Sequence, residues 1–319
     1  MGRTVSCCLS PAVKGAENMK KKGIMYRSPL ERFFYGLNIF LLILLSLSII
    51  LPFLHILALS FNGGKDAMRG GVYFWPRVFS LENYKEVFSD NRIINGYKIT
   101  LGRTIIGTTL SVFLTAMAAY ALKRKTLPGR SFFTFLIFFT MLFSGGMIPY
   151  YMVLRNLGLL NSFWIYVIPG LYSSWNIIVM RTFFETIDIG LEESAKLDGC
   201  GELRIFLQII LPLSKPVIAV IALFVGVGHW NDWFTGAYYV KKRELFPVQT
   251  VLREMLTTQE RLKSLMSTSY ETAIAARRQV TGESLKMATI IVSVVPIVCV
   301  YPFIQKYFTK GVMIGAIKG

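Results

Sequence analysis

Six stretches of the chain run free of Asp, Glu, Lys and Arg: Phe33 to Gly64, Thr104 to Leu122, Ser131 to Leu154, Asn156 to Met180, Pro216 to Asn231 and Met287 to Gln305. A bilayer's hydrocarbon core asks for about 20 apolar residues per helix. Lipid offers the backbone no hydrogen-bond partners, so runs of this kind read as membrane-spanning helices. The expected organisation is a polar tail over residues 1–32, a six-helix membrane domain over 33–305 and a short tail over 306–319. The fifth run stops early, at Asp232. Either its helix continues through Asp232 to about Val240, or that acid lies near a membrane face or a cavity.

Orientation follows the positive charges next to the spans. Lys20, Lys21, Lys22, Arg27 and Arg32 precede the first run, and Lys123, Arg124, Lys125 and Arg130 fill the short link between the second and third. Both termini are therefore expected in the cytoplasm. Arg103, at the outer start of the second run, is expected to snorkel to the interface. Two long links, residues 65–98 and about 235–286, then face outward. The second carries Val248, Val251, Leu252, Met255 and Leu256 at helical spacing, with Arg253, Glu254 and Glu260 off the stripe. That is an amphipathic helix, expected to lie on the outer surface of the bundle, with docking of an outside partner as the sharper role.

Composition agrees with a polytopic membrane protein. The 319 residues are 53% hydrophobic with a mean hydropathy of +0.50, above the roughly 45–50% apolar content of soluble domains. Only 17% are charged, yet Lys and Arg outnumber Asp and Glu by 35 to 18, so the formal +17 is concentrated in connecting segments. Nucleic-acid binding is excluded, because the aromatics sit inside apolar runs rather than among the basic residues. Cys7, Cys8, Cys200 and Cys299 are too scattered for a disulfide framework, and His55 and His229 alone make no metal centre. The first 32 residues lack the apolar core and cleavage site of a signal peptide. Met19 is followed directly by three lysines, so residues 1–18 are read as a candidate upstream extension and left out of the functional reading.

The third cytoplasmic segment, about 185–215, is the informative one. It reads Leu191-Glu192-Glu193-Ser194-Ala195-Lys196-Leu197-Asp198-Gly199, then Cys200 to Ile210, then Leu211-Pro212-Leu213. The pattern predicts a short helix, a glycine break, a second helix and a proline stop. Glu192 and Glu193 fall in the first turn, where the helix dipole favours acids. Gly199 follows the last turn, the usual place for a residue that must take φ > 0. Leu203, Phe206, Ile209 and Ile210 make an apolar stripe before Pro212 forbids continuation. An interfacial helix pair would account for the stripe and the proline, but it does not require an acid, two small residues and a glycine at fixed spacing. Ser194 and Ala195 beside Glu193 offer a flat surface that can seat in another protein's cleft, with Glu193 pairing to an Arg there.

Glu193-Ser194-Ala195, Gly199 and Ile209-x-Leu211-Pro212 resemble the EAA motif of permease subunits of binding-protein-dependent ABC importers. Ser194 departs from the family's usual alanine, a small-for-small change. Gly71, Pro76 and Leu81-x-Asn83-Tyr84 resemble the outer-loop signature of the carbohydrate group, Trp230-Asn231-Asp232 its fifth-helix signature, and Lys306-Tyr307-Phe308 with Gly311 to Gly319 its C-terminal tail. Together these resemble the smaller permease of maltose-type transporters, in the branch handling oligosaccharides and polysaccharide fragments. The resemblance implies an all-α, six-helix type I importer permease in the bacterial cytoplasmic membrane. It would pair with a second permease, two cytoplasmic ATPases and an extracytoplasmic sugar-binding protein. Glu192, Glu193, Ser194, Ala195, Asp198, Gly199, Leu211 and Pro212 would couple to the ATPase, the tail would reach between the ATPases, and ATP and Mg would be bound by the partner. The chain itself carries no G-x-x-x-x-G-K-[ST] and is expected to bind no cofactor.

A sugar path needs aromatic faces for the rings and hydrogen-bond partners for the hydroxyls. Tyr172, Trp175 and Asn176 in the fourth span, and Trp230, Asn231, Asp232 and Trp233 in the fifth, are the candidates. Intramembrane acids are rare and usually face a cavity, which favours Asp232. A membrane enzyme would need a paired acid and base or a metal constellation at membrane depth, which this chain does not offer. The remaining rivals are a secondary transporter driven by an ion gradient, with Asp232 as its thin support, and an importer whose cargo is an amino acid or peptide.

Overall fold

The structure, a computed structural model, describes residues 29–67, 70–265 and 282–316. The chain divides into two compact units, residues 1–55 and 56–319. In the first, the described residues form the body of helix α1, Pro29–Ser60, whose side chains are exposed through Leu54. In the second, the last turn of α1 places Ala58 and Leu59 against Ala67 and Val72.

The second unit is organised on a long helix, α3 (Asn91–Lys123), preceded by the short α2 (Glu82–Ser89). The buried face of α3 includes Gly96, Thr100, Arg103, Gly107, Ser111, Thr115 and Ala119. Small residues at this spacing let neighbouring helices approach closely without a hydrophobic driving force from water. α9 (Lys215–Asn231) and α6 (Ser174–Glu185) make the most extensive contacts with it. A Cβ at Gly226 of α9 would stand only 3.4 Å from the Thr108 hydroxyl of α3.

Two cores hold the ends of this frame. Ala116 and Ala119 of α3, Met180 and Phe184 of α6, and Val217 and Ile221 of α9 enclose one, joined by Ala195, Ile205, Phe206 and Ile210 of the segment 185–215. At the other end Val87, Ile93 and Ala288 pack with Val248 and Val251 of α11 (Val248–Leu265). The predicted amphipathic stripe therefore covers the bundle's own core, with Val248, Val251 and Leu252 buried and Met255 and Leu256 half-buried. Glu260's side chain lies outside the described part.

Among the described residues three continuous helices are long and apolar enough to cross a membrane: α1, α3 and the apolar part of α12 (Gly282–Ala316). Three more apolar segments are bent pairs of helices. α4 (Arg130–Leu142) and α5 (Met147–Asn156) meet at 119°, so the third run is not one straight helix. Ser144-Gly145-Gly146 breaks it, with Gly146 at φ 82 ψ 178, a region essentially only glycine enters. The fourth run becomes two 3-10 turns, Phe163–Tyr166 and Ile168–Leu171, set at 46° to α6. The fifth is α9, set at 82° to α8 (Glu202–Leu213). α9 stops at Asn231 with Asp232 extended beyond it, which decides against a helix running on to Val240; a separate short helix, α10 (Phe234–Tyr239), follows.

The start of α3 at Asn91 rather than Thr104 has a physical cause. Counting charge-free residues cut the helix at Arg103, but that side chain is internal rather than terminal.

Candidate coupling loop and translocation cleft

The segment singled out by the EAA resemblance forms α7 (Ile189–Leu197). Asp188 caps it, its carboxylate accepting from the Gly190 N–H at 3.0 Å, a helix-start signal the sequence reading passed over. The helix ends in a complete Schellman turn. Gly199 sits at φ +77, its N–H donates to the Lys196 carbonyl, and the Cys200 N–H reaches back to the Ala195 carbonyl at 2.9 Å. The glycine is required here because an L side chain at that φ is strained.

The two glutamates of α7 point in opposite directions. Glu192 is 2% exposed and lies between the cations ending α3, 2.5 Å from Lys123 Nζ and 2.9 Å from Arg124 Nη2. Arg124 also donates to Glu202 and to the Tyr120 hydroxyl. The Tyr120 O–H donates in turn to Glu202, whose second oxygen is 2.8 Å from Lys196. This network bolts α7 and α8 to the end of α3. Glu193 and Ser194 face out, as does Leu197, which is 90% exposed.

Three expectations for this loop change. Ala195 does not share an outer surface with Ser194; it is buried in the chain's own core beside Ile205, Phe206 and Ile210. Ala195 lies three residues after the buried Glu192 and shares its inward face, whereas Ser194 lies three residues before the exposed Leu197 and shares the outward one. Leu203 is exposed, and Ile205 takes its place in the buried stripe. Pro212 does not stop α8, which continues to Leu213. The stretch Phe206–Ile210 widens into a π-helix just before it, a form in which the ring need not clash with the preceding turn. The chain turns at Ser214 instead. Asp198 is exposed at the C-cap, Leu211 packs half-buried on the core, and Pro212 is exposed.

The second feature is a cleft of about 310 Å³ beside the end of α9, lined by Tyr150, Ile165, Tyr166, Pro169, Gly170, Val225, Gly228, His229, Asp232 and Thr235. Asp232 is held from two sides. Its Oδ1 accepts from the Thr235 N–H at 3.0 Å, its Oδ2 lies 3.3 Å from Arg103 Nη1, and its backbone carbonyl accepts from Arg103 Nη2 at 2.6 Å. Arg103 does not snorkel. Its side chain is 0% exposed against 30% for Asp232, and its guanidinium lies 5.0 Å over the Tyr166 ring. The carboxylate explains the difference, since a buried cation is tolerated when paired. His229 is fitted between two glycines: a Cβ at Gly107 would stand 2.5 Å from its Nε2, and one at Gly170 3.1 Å from its Cε1.

Of the seven path candidates, Asp232 alone lines this cleft. Trp230 is buried in helix packing, its indole N–H donating to the Ser293 carbonyl at 3.1 Å. Trp233 is half-buried under Arg253, whose guanidinium lies 3.3 Å from the ring centre. Asn231 and Trp175 are exposed and Asn176 is buried. Tyr172 is exposed, its hydroxyl 2.9 Å from that of Thr140. Tyr150, Tyr166 and His229 were not foreseen, because they come from three separate elements with no shared spacing.

Asn83 and Tyr84 of the link 65–98 hold the fold together. Asn83 is buried, donates to the Ser60 and Asn62 carbonyls and accepts from the Ser284 hydroxyl, so it ties the end of α1 to α12. The Tyr84 and Ser60 hydroxyls lie 2.8 Å apart. The backbone of α12 carries the Lys306-Tyr307-Phe308 tail sequence to Ala316, while the tail's side chains and its last three residues lie outside the described part.

Residues 107–314 match the family described as binding-protein-dependent transport system inner membrane component. The chain is 40% identical to the polygalacturonan/rhamnogalacturonan transport system permease protein YtcP of Bacillus subtilis, over 87% of this chain and 96% of that one. It is 28% identical to the maltodextrin transport system permease protein MdxG of the same organism, over 87% and 94% of the two chains. A solved bacterial ABC transporter that imports the acidic polysaccharide alginate contains a similar chain. The two share 31% identity at a TM-score of 0.80, over 89% of this chain and 99% of that one.

Proposed function

From the premise that this chain belongs to the family of inner membrane components of binding-protein-dependent transport systems, we propose that it is a permease subunit of an ATP-driven ABC importer of oligosaccharides or polysaccharide fragments. The fold is that of a type I importer permease, all-α and membrane-embedded. The chain forms half of the translocation path, and each bent helix pair crosses the bilayer once, giving six spans. A second permease supplies the other half, an extracytoplasmic binding protein delivers the sugar, and two cytoplasmic ATPases hold ATP and Mg.

The observation that carries the coupling role is the division of labour across α7. Glu192 and Ala195 bind the helix to α3 and to the core, while Glu193, Ser194 and Leu197 are exposed. A surface presenting an acid, a small residue and a bare leucine on a rigid mount suits docking in a partner's groove. When ATP closes the ATPase dimer, a displacement of α7 passes through Glu192 to the end of α3 as rigid-body motion. Asp198, Gly199, Leu211 and Pro212 set the turn and the exit of the loop.

Co-purification from membranes tests the proposal. The tagged chain, expressed with its neighbouring genes, is expected to bring down a second polytopic protein and an ATPase. A chain that purifies alone and moves solute in liposomes without ATP would sink it in favour of an ion-driven transporter.

A further inference from the structure

The cleft beside Asp232 holds more chemistry than helix packing needs. We propose that Tyr150, His229 and Asp232 form a subsite for one pyranose ring of the transported saccharide, contributed by this half of the importer; the inference rests on the importer reading. Asp232 offers about four acceptor positions. Thr235 N–H and Arg103 Nη1 occupy two of them and fix the carboxylate in place. The remaining positions, on the partly exposed side of the group, suit hydroxyl donors, whose bonds to a carboxylate are charge-assisted.

The phenol ring of Tyr150 is exposed at the cleft and supplies the apolar face on which a sugar ring stacks. His229, pinned between Gly107 and Gly170, adds its imidazole to the cleft lining. At about 310 Å³ the cleft is at the small end of the roughly 300–1,000 Å³ range of ligand pockets, which suits one sugar unit of a chain rather than the whole. Arg103 is a positioning residue. It neutralises Asp232 without reaching the surface, so the ring meets the site through its hydroxyls and not through a carboxylate.

The test uses the full importer with its binding protein in proteoliposomes, and radiolabelled maltotriose and trigalacturonate as probes. Tyr150→Ala removes the stacking face. Gly228→Leu is the second variant, because Gly228 lines the cleft and a Cβ there meets nothing within 4 Å, which leaves room for a side chain to enter it. Half-saturating concentration for the imported trisaccharide is expected to rise about three- to tenfold in Tyr150→Ala and at least as much in Gly228→Leu, with the ATPase still in the complex. Wild-type half-saturation in both variants, or import of neither trisaccharide by a wild-type complex that contains its ATPase, overturns the subsite alone. A wild-type chain that purifies without an ATPase overturns the importer reading and the subsite with it.

Discussion

Glu192 lies 2.9 Å from Arg124 and is almost fully buried by the contact, while its neighbour Glu193 faces away from the protein. Glu192→Gln leaves Lys123 and Arg124 without their shared counter-charge. Breaking a buried pair from one side costs about 3–5 kcal/mol, toward the lower end here because both cations keep some exposure. The expected outcome is a lower unfolding temperature of the detergent-solubilised complex. Glu193→Lys is expected to leave that temperature in place and to lose the ATPase in a pull-down. Equal thermal effects of the two changes would refute the opposed roles.

Gly199 is the turn residue on which the Schellman geometry of α7 depends. Gly199→Ala strains the left-handed backbone by about 1–2 kcal/mol, and Gly199→Asp adds a charge at the surface offered to the ATPase. Membrane insertion is expected to persist in both, with ATP-driven uptake reduced in Gly199→Ala and abolished in Gly199→Asp. Uptake at the wild-type rate in Gly199→Asp would remove the loop from the coupling pathway.

The Arg103–Asp232 pair should behave as a unit. Asp232→Ala strands a guanidinium that is 0% exposed, at a cost of about 3–5 kcal/mol. Arg103→Met combined with Asp232→Ala is expected to cost less than Asp232→Ala alone, since no buried charge remains uncompensated. A double-mutant cycle on thermal stability reads this directly, and strict additivity would mean the pair contributes no coupling.

Asp90 caps α3 through the Arg92 N–H at 2.9 Å, and the side-chain hydrogen bond from Arg92 holds its carboxyl below the usual range. A group whose folded pKa is depressed stabilises fully above its unfolded pKa, about 3.9. That contribution disappears as pH falls through the lower folded value. The amide-exchange protection factor in the first turn of α3, with the pH dependence of the intrinsic rate divided out, is therefore expected to be flat from neutral pH to about pH 5 and to fall below about pH 4. Asp90→Asn, which cannot titrate, should lose the acid limb, and an unchanged limb would assign it to another group.

The sequence by itself determined the class, the apolar segments and the helix-glycine-helix loop. Span-length runs without charge have few stable forms in lipid, and φ > 0 is written into Gly199. Pairing across distance was not legible. Charge counting treated Arg103 as a boundary and one straight helix as the form of residues 131–154, because a local window prices an isolated charge or a Gly-Gly step without its tertiary setting. Only the fold brings Asp232 to Arg103, sends Ala195 inward and Ser194 outward, and assembles Tyr150, Tyr166 and His229 around one cleft. Burial of a charge depends on the partner that the packing supplies, and that partner lies on another helix.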